Sequence, residues 1–522
     1  MALTLMFLEA TPVSYTHLCN GVIIVPGTSP CAAAAAALSA LGISLPLSNG
    51  TPGPNRALVN NNNHSIAPRL GVAWDVRGDG KTAVRVGVGQ FFQREPVGLL
   101  EQLAFTAPFE ISATDVRTLG TATPLVSPAV SPSGAENPRA VIPNSWQWNL
   151  SVERELARNT ALQIGYVGNS GIHLTSGIDM NAVPLADWTE SAFLSGGAQN
   201  ALRPADNFGQ IAQFGHNGKA DYHSLQVLFR SRLSNYSSFQ ASYTYSHSIG
   251  DVQLDNSSGS VNSQATTDQS DPGLDKGNTN INRPNIFVAN EVFYLPKFAN
   301  HGALVQNTVG GWELNSIVNV SSGSSLTVFS NGASSATVNG VTGSLNSLQG
   351  SGFNSNNRPD TVPGVGCNSD ENGRQILNPA AFTLIGYAIG TVGDAPRGYC
   401  FGPNFRNIDM QLAKNWTIKE RFRLKFSLDF FNLFNHANFN AGNLETANFN
   451  ATGVLCGAGQ ICTPTNNVIS AYSTSANAES SGFGQANAVQ PGREIPVSYT
   501  HLGGIARRPG LRGPSQSPRR NH

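Results

Sequence analysis

Strict alternation of apolar and polar side chains, recurring in pairs of segments, constrains this chain more than any other feature. A period of two places alternate residues on opposite faces of a strand. Over residues 145–155 one face carries Trp146, Trp148, Leu150 and Val152, and the other Gln147, Asn149, Ser151 and Glu153. A turn at Ala157-Arg158-Asn159 leads into Leu162, Ile164 and Tyr166 on one face. Residues 66–76 set Leu70, Val72, Trp74 and Val76 against Arg69, Gly71, Ala73 and Asp75, then turn at Arg77-Gly78-Asp79-Gly80. Asp-Gly is a strong hairpin signal, and Val84, Val86 and Val88 follow, facing away from Arg85 and Gly87.

The device repeats. Leu225, Val227 and Phe229 turn near Ser234-Asn235 and return through Phe239, Ala241, Tyr243 and Tyr245. The far face of that return is Ser238, Gln240, Ser242, Thr244 and Ser246. Ile408, Met410, Leu412 and Trp416 oppose Asn407, Asp409, Gln411 and Asn415. After Lys419-Glu420, Phe422, Leu424, Phe426, Leu428 and Phe430 oppose Arg423, Lys425, Ser427 and Asp429. A looser pair covers 286–295 and 312–322. Turns within pairs are short, whereas the links between pairs, 95–143, 170–221, 249–282, 323–405 and 433–482, are long. Repeated long links are uncommon in compact soluble domains. Short turns at one end and long loops at the other fit an outer-membrane barrel with periplasmic turns and extracellular loops. The expected fold is therefore all-β: a partial antiparallel transmembrane β-barrel.

Composition agrees. The 522 residues carry 32 Lys+Arg and 32 Asp+Glu, only 12% charged in all, about half the ~25% of soluble globular proteins. A lipid-facing surface excludes charge, and the polarity comes instead from Asn, Gln, Ser and Thr. Zero net charge gives no electrostatic footprint for nucleic acid, and 40% hydrophobic content argues against whole-chain disorder. The longest apolar stretch, 31–47, is Ala-rich and interrupted by Ser39, Gly42 and Ser44, too weak for a spanning helix. Trp74 and Trp416 lie just before short turns, Trp312 just after one, and Trp146 and Trp148 where a strand leaves a long loop. All five share the apolar face, as aromatic girdles at two membrane interfaces require. A sandwich with that face turned to a soluble core is the alternative reading of the same periodicity.

Pro12-Val-Ser-Tyr-Thr-His-Leu18 recurs unchanged as Pro496-Val-Ser-Tyr-Thr-His-Leu502. Internal repeats normally diverge and span a structural unit, and this one resembles translated sequencing-adapter DNA. Residues 1–18 are accordingly expected to be an artefactual leader, 19–495 the partial barrel, and 496–522 an artefactual or disordered tail. Without the tail's Arg507, Arg508, Arg512, Arg519 and Arg520 the remaining chain is somewhat acidic.

Motifs for catalysis are weak. Gly80-Lys81-Thr82 lacks the leading Gly of a phosphate loop, because position 75 is Asp75. Gly87-Val88-Gly89 lacks the third Gly of a dinucleotide fingerprint and lies within a strand. Arg77-Gly78-Asp79 falls in a periplasmic turn, where an adhesion role has no partner. The histidines are scattered, so no enzyme activity and no cofactor are expected. Six cysteines form three local pairs, Cys19 with Cys31, Cys367 with Cys400 and Cys456 with Cys462. Even number, loop position and an oxidising compartment favour disulfides for the last two pairs, since no CxxC or adjacent His suggests metal. Asp251, Asp255, Asp268, Asp271 and Asp275 share loop 249–282 with Asn and Ser. Oxygen-rich loops can hold calcium, although no EF-hand spacing is met.

Several segments resemble TonB-dependent receptors of the Oar-like type. They are 67–85 (APRLGVAWDVRGDGKTAVR), 147–155 (QWNLSVERE), 165–174 (GYVGNSGIHL), 222–226 (YHSLQ), 241–246 (ASYTYS) and 430–439 (FFNLFNHANF), in the family's order. The resemblance implies the carboxy-terminal part of a large barrel in the outer membrane of a Gram-negative bacterium. It also implies partners: membrane lipid, a large extracellular ligand of unknown identity, and the TonB system acting through a plug domain. Signal peptide, regulatory β-sandwich, plug and TonB-contacting segment are not legible here. Arg493-Glu494-Ile495 reads as the start of a closing strand that the repeated heptapeptide then replaces. About eleven strands are readable, roughly half the family's barrel, so the chain reads as a fragment within the range of known barrel sizes. Substrate-binding residues remain unassigned. The alternatives are an adhesion or structural barrel without transport, or a soluble carbohydrate-binding β protein.

Overall fold

A computed structural model describes residues 65–93, 135–136, 141–182, 203–204, 211–233, 237–252, 272–328, 336–338, 341–343, 358–369, 375–383, 393–418, 422–440, 449–451, 472–474, 484–486 and 488–503. Eleven strands follow one another across a single antiparallel sheet in chain order. They are β1 (Arg69–Asp75), β2 (Thr82–Phe92), β3 (Asn144–Ala157), β4 (Thr160–Asp179), β5 (Ala212–Arg232), β6 (Ser238–Gly250), β7 (Asn285–Tyr294), β8 (Trp312–Ser321), β9 (Phe405–Ile418), β10 (Phe422–Phe430) and β11 (Val497–Gly503). Among the described residues β1 and β11 are each paired on one side, so the sheet is open.

Over the alternating stretches, register carries apolar rows from strand to strand. One row runs Val86, Leu150, Tyr166, Leu225 and Tyr245 through successive partners. Farther along, Leu314 pairs with Leu412 and Leu412 with Leu428. A one-residue slip would send each set to the other face, so the shared pattern fixes the pairing. At the crossing of β3 and β4, Gly168 lets the Trp148 ring lie flat over the backbone; a Cβ there would collide with the indole.

The apolar face is uncovered. Leu70 is 67% exposed, Trp74 59%, Leu150 47% and Tyr245 55%. Eleven strands at about 4.8 Å spacing span about 50 Å, and the alternating stretches run about 20 Å, so this face is on the order of 1,000 Å². Soluble monomers rarely expose more than a few hundred Å² of contiguous apolar surface. Ala220, Ala289 and Ala413 are the small buried apolar side chains of the sheet, Phe214 is buried at the loop-end start of β5, and Leu326, Val328, Leu377 and Phe382 are buried among the loops. The large buried side chains therefore gather at the long-loop end.

Three expectations need correction. The link assigned to 170–221 is much shorter, because β4 continues to Asp179 and β5 begins at Ala212. Gly, Ser and Asn residues (Gly171, Ser176, Gly177, Gly215, Asn217, Gly218) dilute the alternation there while the backbone pairs continue. Register shifts between Ile172 and Leu174 and between Leu174 and Ser176 accompany the change, with His173 at φ 57°. Secondly, the connection from β7 to β8 is not a short turn: residues 295–311 contain a helix, Ala303–Thr308. Thirdly, the heptapeptide expected to replace the closing strand supplies it: Val497–Gly503 pairs with β10, and Glu494 makes only an isolated bridge to Phe431. No helix among the described residues is long and apolar enough to cross a membrane.

Candidate functional site

The long-loop end folds into a platform built from the connections β6–β7 and β8–β9. Its centre is Asp275, fully buried at the end of a single helical turn, Pro272–Asp275. The Asp275 carboxylate accepts from Arg358 Nη1 at 3.0 Å and lies 3.2 Å from Arg397 Nη2, both arginine side chains being almost fully buried. Arg358 Nη2 also donates to Leu274 O (2.6 Å) and Arg397 Nη1 to Asp251 O (3.1 Å). Burial pushes the Arg397 guanidinium below its ordinary value, and neighbouring Arg358 adds to this, while Asp275 opposes both. A buried charge is tolerated when paired and hydrogen-bonded, and here one carboxylate serves two cations.

The arginines arrive on mirrored segments, Arg358-Pro359-Asp360 and Asp394-Ala395-Pro396-Arg397, which clasp each other. Asp394 N donates to Asp360 Oδ1 (3.1 Å), Thr361 N to Asp394 Oδ1 (2.6 Å) and Ala395 N to Pro359 O (3.1 Å). Partial burial, together with Asp394 nearby, raises the Asp360 carboxyl above its ordinary range, opposed by the Asp394 amide. Burial likewise raises Asp251. Ser325–Leu326 pairs with Cys400–Phe401, and the Cys367–Cys400 disulfide (Cα–Cα 5.6 Å) ties the far part of the loop to that pair. Asn278 Nδ2 donates to Gly398 O (3.0 Å), and Asn282 Nδ2 to Ser325 Oγ (3.1 Å), joining the two loops directly. A second buried pair, Arg203 with Asp179 at 3.0 Å, anchors the β4–β5 connection.

Below the platform runs the polar face. Glu153 on β3 accepts from Arg85 on β2 (2.7 Å) and Arg230 on β5 (2.9 Å), so all three share that face. On β8–β10 an amide ladder links Asn315 Nδ2 to Gln411 Oε1 (3.1 Å) and Gln411 Nε2 to Asp429 Oδ1 (2.5 Å). These residues line a cavity of about 390 Å³ with Ile317, Asp409 and Phe431. The Asn315 Oδ1 atom is buried with no hydrogen-bond partner among the described residues.

The sequence candidates fall into place unevenly. The Cys367–Cys400 bridge forms, whereas Cys19–Cys31 and Cys456–Cys462 lie outside the described residues. Of the five aspartates considered for calcium, Asp275 is engaged by arginines; Asp255, Asp268 and Asp271 lie outside the described residues. No cluster of metal-binding side chains occurs among the described residues. Gly80-Lys81-Thr82 belongs to a turn whose amides at Gly78 and Gly80 donate to Asp75 (3.0 and 2.8 Å), with both glycines at positive φ. Arg358 and Arg397 were not singled out from sequence. Their one signal is scarcity, since residues 323–357 carry no charge and the mirrored Pro-containing pairs follow.

The sequence matches the family described as Outer membrane beta barrel domain over residues 9–495. No curated protein matches it. Among solved structures, the outer membrane transporter YddB from Escherichia coli is similar with a TM-score of 0.44 and 11% identity, covering 84% of this chain and 41% of that one. A mutant of the ferric enterobactin receptor PfeA from Pseudomonas aeruginosa gives 0.36 and 12%, covering 83% and 39%. The ferric yersiniabactin uptake receptor FyuA from Yersinia pestis gives 0.32 and 10%, covering 83% and 36%. The chain spans about two fifths of the length of these proteins.

Proposed function

The chain belongs to the outer membrane beta barrel domain family, and from that premise we propose that it is part of a TonB-dependent transporter or receptor. Its place is the outer membrane. In this reading the apolar face meets lipid and the polar face lines a passage. The platform presents the outer binding surface for a large substrate, and the TonB system acts through a plug carried by the intact protein. The observation that carries the reading is the platform itself. Loops serving only as connectors need no fully buried Asp275 with two arginines, no Cys367–Cys400 bridge and no apolar core. A prefolded surface lowers the ordering cost of binding, as a receptor requires.

Passage chemistry follows from the side chains present. Asn315, Gln411 and Asp429 offer amide and carboxylate groups to a hydrated solute or to a plug surface without a fixed strong field. The test is the genomic reading frame around this chain, followed by liposome swelling with the encoded protein. Transport predicts an upstream plug whose deletion opens the barrel to large solutes. A frame without a plug, and swelling that no deletion changes, would leave an adhesion or structural barrel.

A further inference from the structure

Lys414 interrupts the apolar alternation of β9, standing between Leu412 and Trp416 on the face paired with Trp312 and Phe426. A cation on a lipid-facing strand is costly except near an interface. The structure covers it from outside the sheet. Lys414 Nζ donates to Gly310 O (2.7 Å) and lies 5.3 Å and 5.4 Å from the ring centroids of Trp312 and Trp416. Both indoles donate upward into the same segment, Trp312 Nε1 to Thr308 O (2.8 Å) and Trp416 Nε1 to Asn307 O (2.9 Å). Residues 307–310 therefore lie over apolar-face side chains, continuous with the lipid-contacting surface and not beneath the barrel mouth.

The covering segment is itself built and apolar. Gln306 Nε2 donates to Ala299 O (3.0 Å) and His301 O (2.6 Å), which folds 299–306 into one unit. Leu304 is 77% exposed and Val309 53%. Residues 295–311 contain Lys297 and His301 and no acidic residue, so a surface bearing phosphate attracts the segment.

We infer that residues 296–311 form an interfacial collar that docks on the phospholipid of the periplasmic leaflet, inserting Leu304 and Val309 among the acyl chains next to the headgroups. Tryptophan and lysine at this level match the amphipathic character of the membrane interface, and a short apolar helix lying in that plane adds buried area. The inference rests on the membrane reading of the sheet and is independent of transport.

The test uses the full chain in phosphatidylethanolamine–phosphatidylglycerol vesicles, with Leu304→Trp as reporter and the parent chain as background. Acyl chains are brominated either near the headgroup or near the methyl end. The added emission should be quenched at least about twofold more by the shallow bromines, and little by aqueous iodide. Iodide quenching without bromine quenching puts residue 304 in water and overturns the collar. Quenching by neither means that a second copy or another protein covers the segment, and this also overturns it. Val309→Trp repeats the measurement if the first variant does not fold. If the parent chain fails to float with vesicles, the membrane reading of the sheet falls and the collar with it. If the parent floats and the reporter stays unquenched, only the collar falls.

Discussion

Replacing Asp275 by Ala removes the one carboxylate that two buried guanidiniums share. Arg358 and Arg397 are 3% and 2% exposed at the side chain and cannot turn to water without opening the clasp. Breaking a buried pair by removing one partner costs about 3–5 kcal/mol, and here the two remaining cations also repel each other. At about 1.4 kcal/mol per tenfold, local opening should become roughly 10²–10³ times more frequent. Hydrogen exchange of the full chain in vesicles reads this directly: amides of 358–369, 375–383 and 393–401 should lose protection. Those of β9 should not, because platform and sheet bury their side chains separately. Adding Arg358→Met and Arg397→Met to Asp275→Ala should restore most of the protection, since the two buried cations left without their shared carboxylate are gone. Unchanged protection in Asp275→Ala, or equal acceleration in β9, would refute the argument that this triad holds the platform.

Three further outcomes follow from the same geometry. Replacing Cys367 and Cys400 by Ser releases a loop with a sequence separation of 33; chain entropy puts the loss at roughly 3–4 kcal/mol, read as early protease cleavage between 358 and 400. Val227→Arg, on the apolar face, should lower stability in vesicles by about 2–4 kcal/mol, whereas Gln226→Arg, one residue away on the polar face, should be near neutral by urea titration. The Asp360 carboxyl is raised in the folded platform, so it holds its proton more tightly folded than unfolded. Its stabilising contribution is complete below the ordinary carboxylate range and is lost as pH rises through the raised value. Platform protection should therefore fall as pH rises above the ordinary carboxylate range, and Asp360→Asn should flatten that profile.

How much of this was legible in the sequence depends on which solvent a residue meets. Trp146, Trp148, Leu150 and Val152 alternate because one side faces an apolar medium, and β3 was found where the alternation placed it. Ile172–Asp179 also pairs, with two register shifts; Ile172, Leu174 and Ile178 keep the period of two, but the Ser and Gly residues among and beside them (Gly171, Ser176, Gly177) read as loop. The helix Ala303–Thr308 spans under two turns and lacks a polar cap, which leaves no helical signature to find. Asp275, Arg358 and Arg397 are up to 122 residues apart in the chain (397 − 275), and nothing local says that they meet. The Cys367–Cys400 bridge was legible because cysteine pairing leaves few combinations.

Two leucines test the division between these environments. Leu377 is fully buried in the platform, while Leu150 is 47% exposed on the apolar face. In the platform, Leu377→Ala loses transfer energy and also leaves a cavity that its surroundings fill only in part, so a cost of about 2–5 kcal/mol is expected. On the sheet, Leu150→Ala loses at most three carbons at about 0.8 kcal/mol each, with no cavity term, because acyl chains move into the space. The two losses should also be read in different places: Leu377→Ala in platform exchange, Leu150→Ala in the urea midpoint of the vesicle-inserted chain. If the apolar face met water instead of lipid, Leu150→Ala would shift that midpoint hardly at all. If it met a soluble protein core, the loss would approach that of Leu377→Ala. An intermediate loss without a cavity term is the signature of a fluid apolar partner, and either extreme would sink the membrane assignment of the sheet.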